Sequence, residues 1–113
     1  FIGSILDYVK RMVGVAAEDR AFDLRIITYI NGGFATLQDV GVGPDAPFRV
    51  HDSEAVWSDW SSDLFVVEES KEYISLRTQK LFDPPSSSYV LDALNEQIKE
   101  SFWRLYRHCQ KEY

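Results

Sequence analysis

Apolar residues along the chain recur every three or four positions, which is the period of an α-helix. The clearest run, near the C-terminus, is Leu91, Leu94, Ile98, Phe102, Leu105 and Cys109. An earlier run with the same period is Phe22, Ile26, Ile30, Phe34 and Leu37. We therefore predict one helix that contains residues 91–109 and another that starts near Glu18.

The earlier run has a competing interpretation as a β-hairpin. Asn31-Gly32 lies between β-prone flanks, and alone this pair is a strong hairpin signal. A glycine inside a helix costs about 1 kcal/mol relative to alanine. The apolar spacing continues through the glycines, so we favour a helix. Its paired glycines would let another backbone come close.

Two more segments show helical patterns. "SILDYVKRMVG" has Ser4 as a candidate N-cap and Gly14 as a stop. "LFVVEESKEYISLRTQKLF" follows Ser62 and Asp63, either of which can cap it. Its predicted stripe is Val67, Ser70, Ile74, Arg77 and Leu81, with Val66 and Tyr73 beside it.

Between these helices the sequence predicts a loop with small local structures. "VGVGPDAP" is a loop by its glycines and prolines, and "FRV" at 48–50 can form one short strand. "SEAVWSDW" predicts a helical turn capped by Ser53. Trp57 and Trp60 are three residues apart, so both would lie on one side of that turn and pin the loop to the body.

Asp83-Pro84-Pro85 predicts a corner between two helices. Proline disfavours a helical residue before it, so the incoming helix must end near Phe82. We expect Asp83 to cap the next helix, with the prolines in its first turn. The predicted fold is a mainly α bundle of four to five helices with one short β element, as a single domain over residues 1–113.

Charge is unevenly distributed over the 113 residues, whose net charge is −6. Residues 39–72 carry nine acidic side chains and only two basic ones. Such a segment argues against binding to a phosphate backbone, and its plain interpretation is a solvated face that keeps the protein soluble. No apolar run approaches the roughly 20 residues of a membrane span.

No pattern of reactive side chains indicates an enzyme, a cofactor or a metal site. His51 and His108 are far apart, and no Cys-x-x-Cys or His-Glu-x-x-His spacing occurs. Glu68, Glu69 and Glu72 can share a helix face, most simply in solvent. The single cysteine, Cys109, excludes an internal disulfide, fits a reducing compartment, and is predicted to be a buried, inert thiol.

The stretch "FWRLYR" at 102–107 is apolar on more than one side of its helix. Trp103 and Tyr106 are each displaced by about 100° from the main stripe. Tryptophan, tyrosine and arginine are enriched in binding hot spots. We predict a partner interface, while cover by the first helix is the competing explanation. The interface residues are Phe102, Trp103, Arg104, Tyr106 and Arg107.

Almost the whole chain, from Ile2 to Leu105, resembles the head-tail connector (adaptor) proteins of long-tailed double-stranded DNA bacteriophages. The most specific pieces are Leu81-Phe82-Asp83-Pro84-Pro85 followed by serines, the Leu-x-x-Gln-Ile-Lys-Glu spacing from Leu94 to Glu100, and the terminal Trp103-Arg104-Leu105. By the same resemblance "YINGGFATL" continues as helix. The ordered set is specific, although each piece alone would be weak.

The resemblance implies structural work in a virion. Such proteins assemble as a dodecameric ring beneath the portal protein, form the first layer of the neck, and receive stopper and tail-completion proteins. Genomic DNA passes through without specific binding, and no membrane is involved. The acidic segment would suit such a passage, and the candidates for facing it are Asp52, Glu54, Asp59 and Asp63.

Two other non-enzymatic interpretations are open. A cytoplasmic helical regulator that binds a partner, as antitoxins do, would also be small and acidic, but it would be a dimer. A DNA-binding helical domain would use Arg104, Arg107 and Lys111 as its basic end, against the overall acidity.

Overall fold

The computed structural model describes residues 3–110. This part of the chain contains five helices. They are α1 (Ile5–Met12), α2 (Asp23–Asp39), α3 (Trp57–Trp60), α4 (Leu64–Phe82) and α5 (Ser88–Gln110). Helix α4 is central because it contacts each of the other four, whereas α5 packs mainly on α4. The predicted mainly α bundle is confirmed.

The ends of α1 and α4 follow from local sequence. The Ser4 hydroxyl accepts a hydrogen bond from the Asp7 amide at 3.2 Å. The Asp63 carboxylate accepts one from the Phe65 amide at 3.0 Å and caps α4 in the same way. Helix α4 ends at Phe82, as the prolines require. Both predicted N-caps are therefore confirmed.

The apolar stripe of α2 lies at the centre of the core. Ile26, Ile30, Phe34 and Leu37 are fully buried. A Cβ atom added to Gly33 would lie only 2.6 Å from Cδ1 of Ile74 on α4. Gly33 thus lets α2 approach α4 closely. The packing gained in this contact offsets the lower helix propensity of glycine, so the segment forms a helix and not a hairpin.

Helix α2 begins at Asp23, so its predicted start near Glu18 is wrong. The preceding chain is held in turns by the buried Lys10, whose ammonium group donates to the Ala17 carbonyl at 2.9 Å. The same ammonium lies 2.7 Å from the Asp23 carboxylate. Phe22 packs edge-on against Phe82 at 5.3 Å from just outside the helix.

The segment 48–50 is not a strand, which corrects that prediction. Its backbone pairs with the side chain of Asn31. The Asn31 side-chain NH₂ donates to the Val50 carbonyl at 2.9 Å, and the Asn31 side-chain oxygen accepts from the Val50 backbone N–H at 2.7 Å. Gln38, two turns further along α2, holds the carbonyls of Pro44 and Ala46 and the amide of Phe48. Within residues 3–110, β pairing is limited to an isolated antiparallel bridge between Ser4 and Val56.

The tryptophan turn is built into the core as predicted, but its cap is different. Trp57 and Trp60 are each 2% exposed. Trp60 lies 4.4 Å from the Phe34 ring and donates its indole N–H to Ser70 at 2.9 Å. The turn begins after Val56, whose amide donates to Asp59, so the predicted Ser53 cap is wrong.

The proline corner connects α4 to α5, but Asp83 does not cap α5. Asp83 ends α4, where its amide donates to the Gln79 carbonyl at 2.9 Å. Both prolines lie between the helices, and α5 begins at Ser88. The Ser87 hydroxyl accepts from the Val90 amide at 3.4 Å, so a serine takes the predicted role of Asp83.

Candidate functional site

The exposed side of α5 is the candidate site, because this long helix is covered along one side only. Of its 23 residues, only Leu94, Ser101 and Leu105 are buried. The other members of its apolar stripe are only half-buried: Leu91, Ile98, Phe102 and Cys109. Cys109 is therefore less enclosed than predicted, and α5 keeps apolar surface that its own chain does not cover.

An aromatic row runs from α4 across this surface. The rings of Tyr73 and Phe102 lie 5.9 Å apart, and Tyr106 lies 6.4 Å beyond Phe102. Trp103 stacks on Tyr106 at 5.5 Å and is 53% exposed. The first helix therefore does not enclose Trp103, and this aromatic side chain is presented to solvent.

Arg104, another predicted interface residue, is engaged within its own chain. Its guanidinium donates to Glu69 at 3.0 Å, and this hydrogen bond raises the pKa of Arg104 above its usual range. The Ser101 hydroxyl also donates to the Glu69 carbonyl oxygen at 3.1 Å. Glu69 is thus not simply solvated as predicted, and it fastens α5 to α4. Lys111, the third residue of the proposed basic end, lies outside the described residues.

Arg107 and His108 line an open cleft of about 410 Å³ together with Phe65 and Arg104. The rings of Phe65 and His108 are 4.4 Å apart. This cleft gives the C-terminal end of α5 a cationic and aromatic character in an otherwise acidic protein.

The four acidic candidates are all exposed, and three of them make local hydrogen bonds that the sequence reasoning missed. Asp52 accepts from the Glu54 amide at 2.9 Å, and Asp59 accepts from the Val56 amide at 3.0 Å. Asp63 caps α4 and lies 2.8 Å from Nε2 of His108. Each carboxylate stays accessible to solvent despite these contacts.

The contact between Asp63 and His108 lowers the pKa of the Asp63 carboxyl, with the helix-capping amides acting in the same direction. A depressed folded-state pKa means that the contact stabilises the fold above the ordinary aspartate value and that this contribution is lost as pH falls through the folded pKa. We predict that His108→Ala, which removes the donor, moves the Asp63 pKa upward towards 3.8, its unperturbed value, in an NMR titration.

The control is Arg107→Gln, which removes an adjacent positive charge but leaves the contact between Asp63 and His108 in place. It should leave the Asp63 titration close to that of the parent protein. An unchanged Asp63 pKa in His108→Ala would contradict the assignment.

Within residues 3–110, no group of three or more His, Cys, Asp or Glu side chains is placed to hold a metal ion. None of the helices in that range is both long and apolar enough to cross a membrane. The features that stand out are the uncovered apolar side of α5 and the aromatic row on it.

Comparison with known proteins identifies the family of this chain. The model of the phage connector protein family matches residues 5–112, almost the entire chain. No curated protein and no solved structure matches the chain. The chain therefore belongs to the phage connector protein family and has a structural role in the phage neck.

Proposed function

We propose that this protein forms the ring-shaped adaptor between portal and tail in a phage neck, with the resemblance favouring twelve copies. The ring gives DNA a passage and offers a docking surface to stopper or tail-completion proteins. The observation that carries the proposal is the uncovered side of α5, since Trp103 is 53% exposed beside half-buried Phe102 and Tyr106.

A ring requires two different contact surfaces on its subunit, and the uncovered side of α5 can supply one of them. Each copy must bury two different surfaces against its neighbours, because the contacts in a ring are head-to-tail. A helix covered on one side, next to a well-packed body, supplies apolar surface for such a contact. We propose that the protein is made in the host cytoplasm and becomes part of the virion neck.

The test is a mass measurement of the purified protein, alone and mixed with the portal protein of the same phage. We expect one ring per portal, whether or not the free protein is monomeric. A dimer that does not bind the portal protein would instead support the interpretation as a cytoplasmic regulator.

The acidic segment is proposed to line the passage. Basic side chains would retain DNA phosphates, whereas carboxylates repel them and let the genome pass. Asp52, Glu54, Asp59 and Asp63 are all exposed, which such a lining requires. A structure of the ring with all four on its outer rim would rule this out.

Trp103→Ala should block the joining of heads to tails while leaving the monomer folded. The truncation removes the most exposed aromatic group of the row and nothing from the core. Tyr89→Ala is the matched control, since Tyr89 is 84% exposed on the same helix. Joining is measured by electron microscopy and folding by circular dichroism; a Trp103→Ala protein that fails to fold would assign Trp103 to the core.

A further inference from the structure

A second uncovered apolar surface lies where α2 begins and α4 ends. This α2/α4 patch is formed by Phe22, Leu24, Arg25, Leu81 and Phe82. The Phe22 ring packs edge-on against Phe82 at 5.3 Å, so the two ends of the patch are in contact. Leu24 is 79% exposed, and Leu81 is also exposed. The patch therefore presents apolar side chains that its own chain does not cover.

Arg25 gives the patch a positive charge without a counter-ion. Its guanidinium lies over the Phe82 ring, 5.1 Å from the ring centre. The side chain is exposed and forms no ion pair within residues 3–110. Asp23, two residues earlier, is bound by the buried Lys10 at 2.7 Å and does not neutralise it. A stacked guanidinium keeps its N–H donors available to a carboxylate.

The aromatic side of α5 offers such a carboxylate. An open cleft of about 360 Å³, here called the α5 cleft, is lined by Lys99, Glu100, Phe102 and Trp103. Lys99 lies 3.4 Å from Glu96, which offsets its charge. Glu100 is exposed and has no ion pair among the described residues. Its charge acts only at longer range on Arg104, which is bonded to Glu69.

The two surfaces also differ in overall charge. Residues 88–100 of α5 carry three acidic side chains, spaced four residues apart, and one basic side chain. Residues 20–25 and 77–83, which contribute the α2/α4 patch, carry four basic side chains and two acidic ones. Complementary charge favours the correct pairing of two surfaces and disfavours others. A second copy of this chain therefore fits the patch in charge as well as in apolar character.

We propose that the α2/α4 patch of one copy docks against the α5 cleft of the next, where Arg25 donates to the Glu100 carboxylate. Leu24 then packs on Trp103. This inference rests on the proposed ring and supplies its second contact surface. Leu24 and Arg25 are adjacent in the chain, and Glu100 lies one helical turn before Trp103. Both contacts can therefore form together.

One subunit can use both surfaces at the same time. Helices α2 and α5 each pack on α4, and they make little contact with each other. The α2/α4 patch and the α5 cleft are different surfaces, so the contact is head-to-tail and can close a ring.

The test is charge reversal on ring assembly with the portal protein present. The readout is the protein concentration at which half of the portals carry a ring. Arg25→Glu and Glu100→Arg should each raise this concentration by about 10-fold or more, because each removes a charge-assisted hydrogen bond and brings like charges together. The double variant restores the pair with reversed polarity, so it should assemble close to the parent concentration.

Mixed assembly separates a contact between copies from a contact with the portal. Beside an unmodified copy, the double variant meets like charges on both of its surfaces, whereas beside another double variant it meets opposite charges. Native mass spectrometry of an equimolar mixture, with the double variant isotopically labelled, should therefore show rings of one protein or the other and few mixed rings.

Two controls exclude effects of folding and of net charge. Arg49→Glu makes the same charge change at an exposed arginine outside both surfaces, and it should leave assembly unchanged. Arg25→Glu and Glu100→Arg alter exposed side chains only. Each should keep the circular dichroism spectrum and the urea midpoint of the parent protein close to unchanged.

A double variant that assembles no better than the single variants would overturn the contact between Arg25 and Glu100, assign both charges to the portal or another neck protein, and leave the adaptor function standing. Rings that mix the two proteins at random would overturn the contact as well. Failure of the unmodified protein to assemble on the portal would overturn both the contact and the adaptor function.

Discussion

Gly43→Ala is expected to lower the free energy of unfolding by about 2 to 5 kcal/mol, from two separate causes. Gly43 has a φ of +89°, a left-handed conformation in which a side chain costs about 1 to 2 kcal/mol. The added Cβ would also lie 2.7 Å from Cζ2 of the Trp60 indole, inside the van der Waals distance. Overpacking of this kind adds about 1 to 3 kcal/mol.

Trp60 cannot move away easily. Its indole N–H is bonded to Ser70 at 2.9 Å, and its ring is packed against Phe34 and Phe48 at 4.4 and 5.2 Å. A shift of the ring would break the hydrogen bond and open the core, so the loop must yield instead.

Gly41→Ala is the matched control for the backbone term. Gly41 has nearly the same φ, +88°, but an added Cβ meets nothing within 4 Å. It should cost only about 1 to 2 kcal/mol, and the difference between the two variants measures the overlap with Trp60. Urea unfolding followed by tryptophan fluorescence gives both values; equal losses would contradict the role assigned to Trp60.

The helices of this protein were predictable because their signal is local. The apolar period identified α2 and α5, and the caps at Ser4 and Asp63 fixed two starts, since each cap acts within three residues of itself. The start of α2 was missed because it depends on a long-range contact: Lys10 of α1 holds the Ala17 carbonyl and Asp23. The apolar period of α2 carries no information about a contact made by a lysine of another helix.

The exposure of Trp103 was predictable to the same degree. The displacement of Trp103 from the apolar stripe indicated an exposed aromatic side chain, and the structure has it exposed. The pairing of Arg104 with Glu69 spans 35 residues and depends on how α5 packs on α4, so no local pattern reveals it.

Asn31 shows why the predicted strand at 48–50 does not form. A strand needs a neighbouring backbone, and here the carboxamide of Asn31 supplies both the donor and the acceptor that Val50 requires. Asn31 is 5% exposed and Val50 is fully buried, so water cannot take over these bonds. In the sequence, Asn31 resembled part of a hairpin turn. In the structure, its side chain makes the hydrogen bonds that a neighbouring strand would otherwise make.

Asn31→Ala is therefore expected to lower the free energy of unfolding by about 2 to 6 kcal/mol, since it leaves two buried backbone groups unpaired at about 1 to 3 kcal/mol each. Gln38→Ala removes three hydrogen bonds from the same loop, yet it should cost only about 1 to 2 kcal/mol, because water can reach the exposed Ala46 carbonyl and replace the lost partners there. Urea unfolding compares the two variants directly. If Asn31→Ala cost no more than Gln38→Ala, the loop would be held by the packing of Phe48 on Phe34 and Trp60 rather than by the amide of Asn31.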